Sequence, residues 1–320
     1  MNTKTNGIHH ITAITGDPQA NINFYEGFLG QRLIKKTVNF DDPTAYHLYY
    51  GDAVGTPGTI LTFFYWQGLP ASERGVGEMS GMYYAIPPES LYFWRSRIQS
   101  FAIDYTEEIL PFGETVLIIH DPDGLLIGLV ATDVESNVVP WKEGTVPEEH
   151  ILRGFYGASI AVAKNSMIET ALTEGLGYEL LETKDTVLRY QATSWPGKYL
   201  AIQERPDLPP ARQGAGSVHH IAFQANTDEE CEALSTQVHA TGLSVTNLID
   251  RQYFHSTYFM TPAGVLFEIA TNDIGFTLDE PETELGENLK LPPQYESARS
   301  DIESQLLPVT LPRHDNTEQH

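Results

Sequence analysis

The sequence predicts an α+β fold assembled from four copies of one β-α-β-β-β module and followed by a C-terminal tail. Three observations predict it: a repeated opening stretch, a helix-like segment after each opening, and strand-like runs after each helix. The openings are "GIHHITAIT" at residue 7, "GMYYAIPPE" at 81, "GFYGASIAV" at 154 and "GSVHHIAFQA" at 216. Each alternates or is apolar, as expected of a β-strand.

The segments after the openings are amphipathic, with apolar residues at helical spacing. They read "PQANINFYEGFLG", "SLYFWRSRIQSF", "NSMIETALTEGLG" and "TDEECEALSTQVHATG". Strand-like runs follow each of them, for example "RLIKKTVNF", "AYHLYYGD" and "TILTFFYW" in module one. The order β-α-β-β-β is therefore predicted four times.

A polar, proline-containing segment, residues 131–150, separates two halves of the chain. We predict that residues 1–140 hold modules one and two, and that residues 150–275 hold modules three and four. The tail, residues 276–320, is acidic and proline-rich, and "SARSDIESQLL" within it predicts one helix.

Composition narrows the class of protein. The 320 residues include 19 Lys and Arg against 43 Asp and Glu, a net charge of −24. This charge disfavours binding to nucleic acid or to an anionic membrane surface. The single cysteine, Cys231, has no intrachain disulfide partner and is interpreted as a structural or surface thiol. Apolar runs are short and no signal peptide is recognised, so we expect a cytoplasmic protein, with homo-oligomer formation left open.

Histidine pairs occur in the openings of modules one and four: His9-His10 and His219-His220. Neighbouring residues of a strand point to opposite faces of the sheet, so we expect one histidine of each pair to face a given site. In both modules the second histidine shares its face with polar residues, whereas the first shares its face with Ile or Phe. His10 and His220 are therefore the histidines predicted to face a cavity.

A glutamate in module four is a candidate third ligand. Glu268 lies in "TPAGVLFEIATN", between Phe267 and Ile269. A carboxylate in so apolar a strand is costly unless it is paired or binds a cation. The matching positions carry Gly128 in module two and Thr62 in module one.

The predicted metal ligands are thus His10, His220 and Glu268. Two imidazoles and one carboxylate are the ligand set of non-haem Fe(II) oxygenases, and this set leaves coordination positions open. Mn(II) fits the same ligands, and Zn(II) stays an alternative. Modules two and three, with Tyr84 and Gly157 matched to the histidine position, are not expected to contribute ligands.

The module pattern resembles the vicinal oxygen chelate superfamily, which includes glyoxalases, extradiol dioxygenases and bleomycin-resistance proteins. The resemblance covers residues 7–275. It implies that the modules pair into two cup-shaped mixed sheets, with a metal inside one cup.

A second resemblance is more specific. The stretch "YFMTPAGVLFE", residues 258–268, is similar to the extradiol dioxygenase signature. The resemblance implies that Tyr258 lies near the substrate oxygen and that Glu268 binds iron. Arg251 stands near the place where the signature has an acid-base histidine. Module three has no histidine to offer, so His10 is expected to replace it and modules one and four are expected to share a cup.

This arrangement, with "HHIT" near the start and "HHIAF" in module four, resembles the hydroquinone ring-cleaving dioxygenases. The implied function is an Fe(II)-dependent ring-cleaving dioxygenase that acts with O₂ on a hydroquinone or a catechol-like aromatic diol. Tyr258 and Arg251 are the implied catalytic residues, and His9 and His219 are expected to support the ligands. Two alternatives stay open: a glyoxalase-type lyase or isomerase, with Thr62 where a fourth ligand would stand, and a non-catalytic binding protein of the same fold.

Overall fold

The computed structural model describes residues 2–315, and the last five residues of the predicted tail lie outside that part. Each module contributes four strands. Modules one and two supply β1 (Ile8–Thr15), β2 (Arg32–Val38), β3 (Tyr46–Gly51), β4 (Ile60–Tyr65), β5 (Glu78–Ile86), β6 (Thr106–Ile109), β7 (Thr115–His120) and β8 (Leu126–Ala131). Modules three and four supply β9 (Phe155–Val162), β10 (Glu179–Lys184), β11 (Val187–Gln191), β12 (Tyr199–Glu204), β13 (Val218–Ala225), β14 (Ile249–Asp250), β15 (His255–Met260) and β16 (Leu266–Thr271).

The strands form two eight-stranded mixed sheets. In the first, called the site sheet, the order is β14-β15-β16-β13-β1-β4-β3-β2. In the second sheet the order is β10-β11-β12-β9-β5-β8-β7-β6. Modules one and four therefore share one sheet, and modules two and three share the other. The predicted α+β class and the predicted pairing of the modules are confirmed. The division of the chain at residues 140–150 stays a prediction.

Helices follow the opening strands in three modules. They are α1 (Pro18–Ile22), which a π-helical segment at Asn23–Phe28 extends, α2 (Leu91–Ser100) and α3 (Asp228–Ala240). The side chain of Asp17 caps α1, and Thr227 caps α3, as expected for these residue types.

Module three departs from the predicted helix. Its helical segment is broken into two short pieces, a 3₁₀ turn at Asn165–Met167 and a helical stretch that is α-helical at 169–170 and π-helical at Ala171–Gly175. Between them, Ile168 has φ −130°, which lies outside the helical range. A β-branched residue has a weak preference for helix, so it is a favourable place for the interruption.

The core lies between the outer face of the sheets and the helices. Ile8 and Ile11 of β1 belong to the same buried apolar cluster as Ile221 and Phe223 of β13 and Leu234 of α3. The opposite face of β1 and β13 is left for polar side chains, and it is the concave side of the site sheet.

The C-terminal tail packs on module one. Leu289 pairs with Lys36 of β2, and the predicted tail helix is confirmed as α4 (Arg299–Gln305), followed by a short α5 (Pro312–Asp315). No helix in the described part of the chain is long and apolar enough to cross a bilayer.

One buried ion pair fixes the end of the tail. Arg313 Nη2 lies 2.5 Å from Glu26 Oε2 and also donates to the carbonyl of Leu33.

We expect Arg313→Ala to lower the free energy of unfolding by about 3 kcal/mol, because it leaves the fully buried Glu26 carboxylate unpaired. Urea unfolding measures this loss. Arg212→Ala is the control, since its pair with Glu73 is exposed and should contribute less than about 1 kcal/mol. Equal losses in the two variants would contradict the prediction.

Cys231 lies in the core, and burial raises the pKa of its thiol from 9.0 to about 11. The thiolate is the reactive form, and at pH 8 this shift reduces its fraction about 100-fold. We therefore expect dithionitrobenzoate to react with the folded protein at least about 100-fold more slowly than with the urea-unfolded chain. Similar rates for the two forms would show that the thiol is accessible.

Candidate metal and active site

The histidine pairs lie on the two central strands of the site sheet, and each pair contains a β-bulge. Ile8 lies opposite Phe223 and His10 opposite Ala222, so His9 is an extra residue on β1. In a bulge, two residues of one strand face one residue of its partner, and the alternation of side chains is interrupted.

The same irregularity occurs on β13. His220 lies opposite Thr12 and Val218 lies opposite Ala13, so His219 is the extra residue. The two bulges are related to each other across the antiparallel pair.

The expectation that the histidines of one pair face opposite sides is therefore wrong. The Nδ1 atoms of His9 and His10 are 2.9 Å apart, and those of His219 and His220 are 2.8 Å apart. Strict alternation cannot bring neighbouring side chains into contact, whereas a bulge can. Ile8, which regular alternation would place on the same face as His10, lies instead in the core beneath the helices.

His10, His220 and Glu268 converge on one point of the concave face. His10 Nε2 and His220 Nε2 are 3.3 Å apart. Glu268 Oε2 lies 3.3 Å from His10 Nε2 and 2.8 Å from His220 Nε2. Donor atoms at this spacing fit around one ion with bonds of about 2.1 Å. Within residues 2–315, this is the one His, Cys, Asp and Glu group with metal-ligand spacing.

The sheet register places Glu268. It lies on β16 beside Ala222 of β13 on one side and Tyr258 of β15 on the other. Its neighbours Phe267 and Ile269 point into the apolar core, so the carboxylate alone faces the site.

The charge of this group fits a bound cation. Burial raises the pKa of Glu268, but the positive charge of protonated His10 and His220 lowers it more strongly, to well below the usual value. The ionised carboxylate therefore requires a positive partner, either these protons or a cation in their place. Both carboxylate oxygens are buried and have no hydrogen-bond donor among the described residues, since the approach of His220 lacks hydrogen-bond geometry. A buried carboxylate that faces two imidazole nitrogens is costly without a cation.

The hydrogen bonds of His9 determine which nitrogen of His10 is free. Burial lowers the pKa of His9 to about 3, so its ring is neutral at pH 7. Its Nε2 lies 3.2 Å from the carbonyl of Thr271, which can only accept, so Nε2 carries the hydrogen. His9 Nδ1 then accepts from His10 Nδ1, and the lone pair of His10 Nε2 faces Glu268.

His219 and His9 make the same contact with the neighbouring histidine, but their Nε2 atoms have different surroundings. His219 contacts His220 Nδ1 to Nδ1, as His9 contacts His10, and burial lowers its pKa to about 4. For His220 Nε2 to present a lone pair, the ring hydrogen must be on His220 Nδ1, and this N–H donates to His219 Nδ1. The remaining N–H of His219 has no acceptor among the described residues and borders the cavity.

Tyr258 and Arg251 lie beside the three candidate ligands. The Tyr258 oxygen accepts from Arg251 Nε at 3.2 Å and from Ser256 Oγ at 3.1 Å. Burial and the charge of Glu268 raise the pKa of Tyr258 above its usual value, so the phenol keeps its hydrogen. With two donors already at its oxygen, that hydrogen is available to a ligand in the cavity. His255, on the same strand, pairs instead with Asp228.

A one-way chain of hydrogen bonds runs through module one to the cavity wall. Thr62 Oγ1 donates its one hydrogen to Thr12 Oγ1 at 2.9 Å. The hydrogen bond between His47 Nε2 and Thr62, also 2.9 Å, must therefore be donated by His47. The Tyr49 hydroxyl in turn donates to His47 Nδ1 at 2.9 Å. Burial keeps the pKa of His47 well below its usual value. Thr62, which corresponds to Glu268 in the register of β4 with β1, therefore presents a hydroxyl rather than a fourth carboxylate.

A cavity of about 290 Å³ lies over this group. Its walls carry several aromatic rings: Phe40, Tyr49, Phe64, Trp66, Phe254 and Tyr258. The sequence did not single out most of these rings, because an aromatic residue in a strand or loop is equally typical of a core. Phe254 contacts the site most closely, with its ring 5.0 Å from that of His10.

The second sheet has the same two bulges but no ligands. Ser80 on β5 and Tyr156 on β9 are its extra residues, so Gly81 and Gly157 hold the positions that correspond to the candidate ligands His10 and His220. Tyr84, which sequence alignment matched to this position, lies in the apolar core. The extra residue in each bulge changes which residues of the strand face the cup, and a comparison of sequences alone does not reveal that extra residue.

Gly128 on β8 corresponds to Glu268, as expected, because it pairs with Tyr83 two residues after Gly81. A Cβ atom at Gly128 would lie 2.3 Å from the Tyr83 ring, so that ring takes the space of a ligand. The second cup therefore lacks all three of the donor groups found in the site sheet.

Known proteins show the same combination of fold and sequence. The family model described as "Glyoxalase/Bleomycin resistance protein/Dioxygenase superfamily" matches residues 7–129 and 171–269. The chain is 40% identical over 311 residues to "Putative ring-cleaving dioxygenase MhqO" of Bacillus subtilis (strain 168), covering 97% of this chain and 99% of that one. It is 33% identical over 310 residues to "Chlorohydroquinone/hydroquinone 1,2-dioxygenase" of Sphingobium indicum, covering 93% and 95%.

Solved structures agree with these matches. A crystal structure of a "putative dioxygenase" from Bacillus subtilis superposes with a TM-score of 0.92 at 39% identity, over 97% of this chain and 99% of that one. Glyoxalase I from Zea mays superposes with a TM-score of 0.61 at 16% identity, over 83% and 92%, which shows a shared fold alone. The chain therefore belongs to the glyoxalase, bleomycin resistance protein and dioxygenase superfamily, among relatives named ring-cleaving dioxygenases.

Proposed function

We propose that this ring-cleaving dioxygenase uses Fe(II), held by His10, His220 and Glu268, to open the ring of a hydroquinone or catechol-like diol with O₂. The observation that carries the proposal is the convergence of two imidazoles and one buried carboxylate beneath an aromatic-lined cavity. The same ligand set accommodates Mn(II). The net charge of −24 supports a small-molecule partner rather than nucleic acid or a membrane surface, and we propose a cytoplasmic location.

Bound iron would supply the transfer of electrons between the aromatic ring and O₂. The protein binds and orients the diol. Aromatic walls such as Phe64 and Phe254 pack against its ring, and the free hydrogen of Tyr258 donates to a substrate oxygen. Arg251 lies at hydrogen-bond distance from Tyr258, and its positive charge stabilises negative charge that develops on the substrate oxygen.

We assign proton transfer to His219, since its outer nitrogen borders the cavity without a protein partner among residues 2–315. His9 has a different role because its outer nitrogen is committed to the carbonyl of Thr271. It fixes the tautomer of His10 and so orients a ligand.

The two alternatives from the sequence are less well supported. A glyoxalase-type enzyme usually needs a fourth protein ligand, and the corresponding residue, Thr62, is engaged in the hydrogen-bond chain to Thr12. A non-catalytic binding protein has no need for three converging ligands.

Oxygen uptake tests the proposed function. The purified protein is loaded anaerobically with Fe(II) and mixed with methylhydroquinone, chlorohydroquinone or catechol. We expect O₂ consumption with at least one diol and none after chelation of the metal. Turnover of a glutathione hemithioacetal without O₂ uptake would support the glyoxalase alternative, and binding of a diol without turnover would support the binding protein.

Metal binding distinguishes the ligands from their supports. We expect His220→Ala or Glu268→Ala to abolish Fe(II) binding measured by anaerobic calorimetry, whereas His219→Ala should weaken it about 10- to 100-fold, as loss of a supporting partner does. His239→Ala, at an exposed position on α3, is the control and should bind normally. Loss of binding in His219→Ala but not in His220→Ala would reverse the assignment.

The Tyr258 hydroxyl should act on the reaction rather than on the metal. We expect Tyr258→Phe to reduce kcat about 100-fold, the cost of one lost donor to developing charge, with unchanged Fe(II) affinity. Steady-state O₂ uptake and calorimetry measure the two quantities. Tyr92→Phe, at a residue 78% exposed, should change neither. An unchanged kcat in Tyr258→Phe would exclude this role.

A further inference from the structure

The loop that joins β14 to β15 has a tight, uncommon conformation. Arg251 N donates to the carbonyl of Phe254 at 3.0 Å, and Tyr253 N donates back to the carbonyl of Arg251 at 2.8 Å. Between them, Gln252 has φ +67°, in the left-handed region that favours glycine. Surrounding contacts must therefore hold a glutamine in this conformation.

Asp250 Oδ1 accepts from Gln252 N at 2.7 Å, and Asp279, in the C-terminal tail, supplies further side-chain contacts. Its Oδ2 atom accepts from Gln252 Nε2 and from the Tyr253 hydroxyl, each at 2.9 Å. Its Oδ1 atom lies 2.6 Å from Lys35 Nζ. Both oxygens of one carboxylate are thus used, and two of their three partners belong to the loop.

Lys35 ties this carboxylate to the opposite end of the site sheet. Its side chain lies on β2, is fully buried, and also pairs with Glu280 Oε2 at 2.5 Å. The Lys35 ammonium is 5.1 Å from the centre of the Tyr253 ring, and that ring stacks on Phe276 of the tail. The contacts join three parts of the molecule: module one, the loop of module four, and the tail.

The two ends of the loop reach the active site. Arg251 Nε lies 3.2 Å from the Tyr258 oxygen, and Arg251 borders the cavity. The Phe254 ring lies 5.0 Å from the His10 ring and 5.4 Å from the His9 ring. A shift of the loop therefore moves a charge and an aromatic wall, while the metal-ligand strands β1, β13 and β16 keep their own hydrogen bonds.

We infer that Asp279 is a positioning residue for the reaction: through Gln252 and Tyr253 it holds the 251–254 loop in the conformation that presents Arg251 and Phe254 to the substrate. The inference rests on the proposed function, because it assigns the loop to substrate binding. It also makes the start of the C-terminal tail a part of the active site.

Asp279→Asn tests it, with Asp301→Asn as the matched control at an exposed position of the same tail. We expect the KM for methylhydroquinone to rise about tenfold or more in Asp279→Asn, since a small displacement of positioning groups has effects of this size. Fe(II) affinity should stay close to that of the wild type. Tyr253→Phe removes one of the bonds and keeps the ring, so it should give a smaller rise, and it serves as the second variant if Asp279→Asn does not fold.

Trypsin reports on the loop independently of activity, because it cleaves after Arg251. We expect cleavage at this bond to accelerate about tenfold or more in Asp279→Asn, through local opening of the loop, with the rate at exposed Arg212 unchanged. An unchanged cleavage rate at Arg251, or faster cleavage with an unchanged KM, would overturn the inference. Absence of O₂ uptake by the wild-type protein would instead refute the proposed function, and the trypsin result would still report whether Asp279 holds the loop.

Discussion

The site depends on two β-bulges that lie opposite each other on the central strands β1 and β13. Each bulge turns a pair of neighbouring histidines onto one face, so that the inner imidazole reaches Glu268 and the outer imidazole contacts the inner one. In a regular strand the outer histidine would lie in the apolar core, where a polar ring without a partner is costly. The bulges therefore supply both the candidate ligands and the groups that set their tautomers.

Repetition gives the molecule two such cups, and within residues 2–315 only the cup of the site sheet brings His and Glu side chains together at metal-ligand spacing. The second sheet keeps the bulges but carries Gly81, Gly157 and Gly128 at the positions of the three candidate ligands. Its cup holds the Arg189 guanidinium, which pairs with Glu114 and lies 4.0 Å from the centre of the Phe112 ring. The backbone geometry that the two sheets share is thus separable from the chemistry, which resides in a few side chains.

Much of this could be predicted from the sequence, and the rest has identifiable physical reasons. Repeats predicted the modules, strand patterns and an acid in an apolar strand nominated His10, His220 and Glu268, and the family resemblance implied the pairing of the modules. The bulges could not be predicted, because one extra residue changes hydrogen-bond register and leaves no mark in composition. Asp279 was missed for a related reason: its partners, Lys35 and Tyr253, are distant in sequence, and an aspartate in an acidic tail resembles its neighbours.

The order of the strands also determines when the site can exist. The second sheet uses residues 78–204, so all its strands have been synthesised before β13 is made. Strand β1 is among the first segments synthesised, but its antiparallel partner β13 follows some 200 residues later. During translation the histidines of module one are thus present without Glu268, and the candidate ligand set is complete only near the end of synthesis.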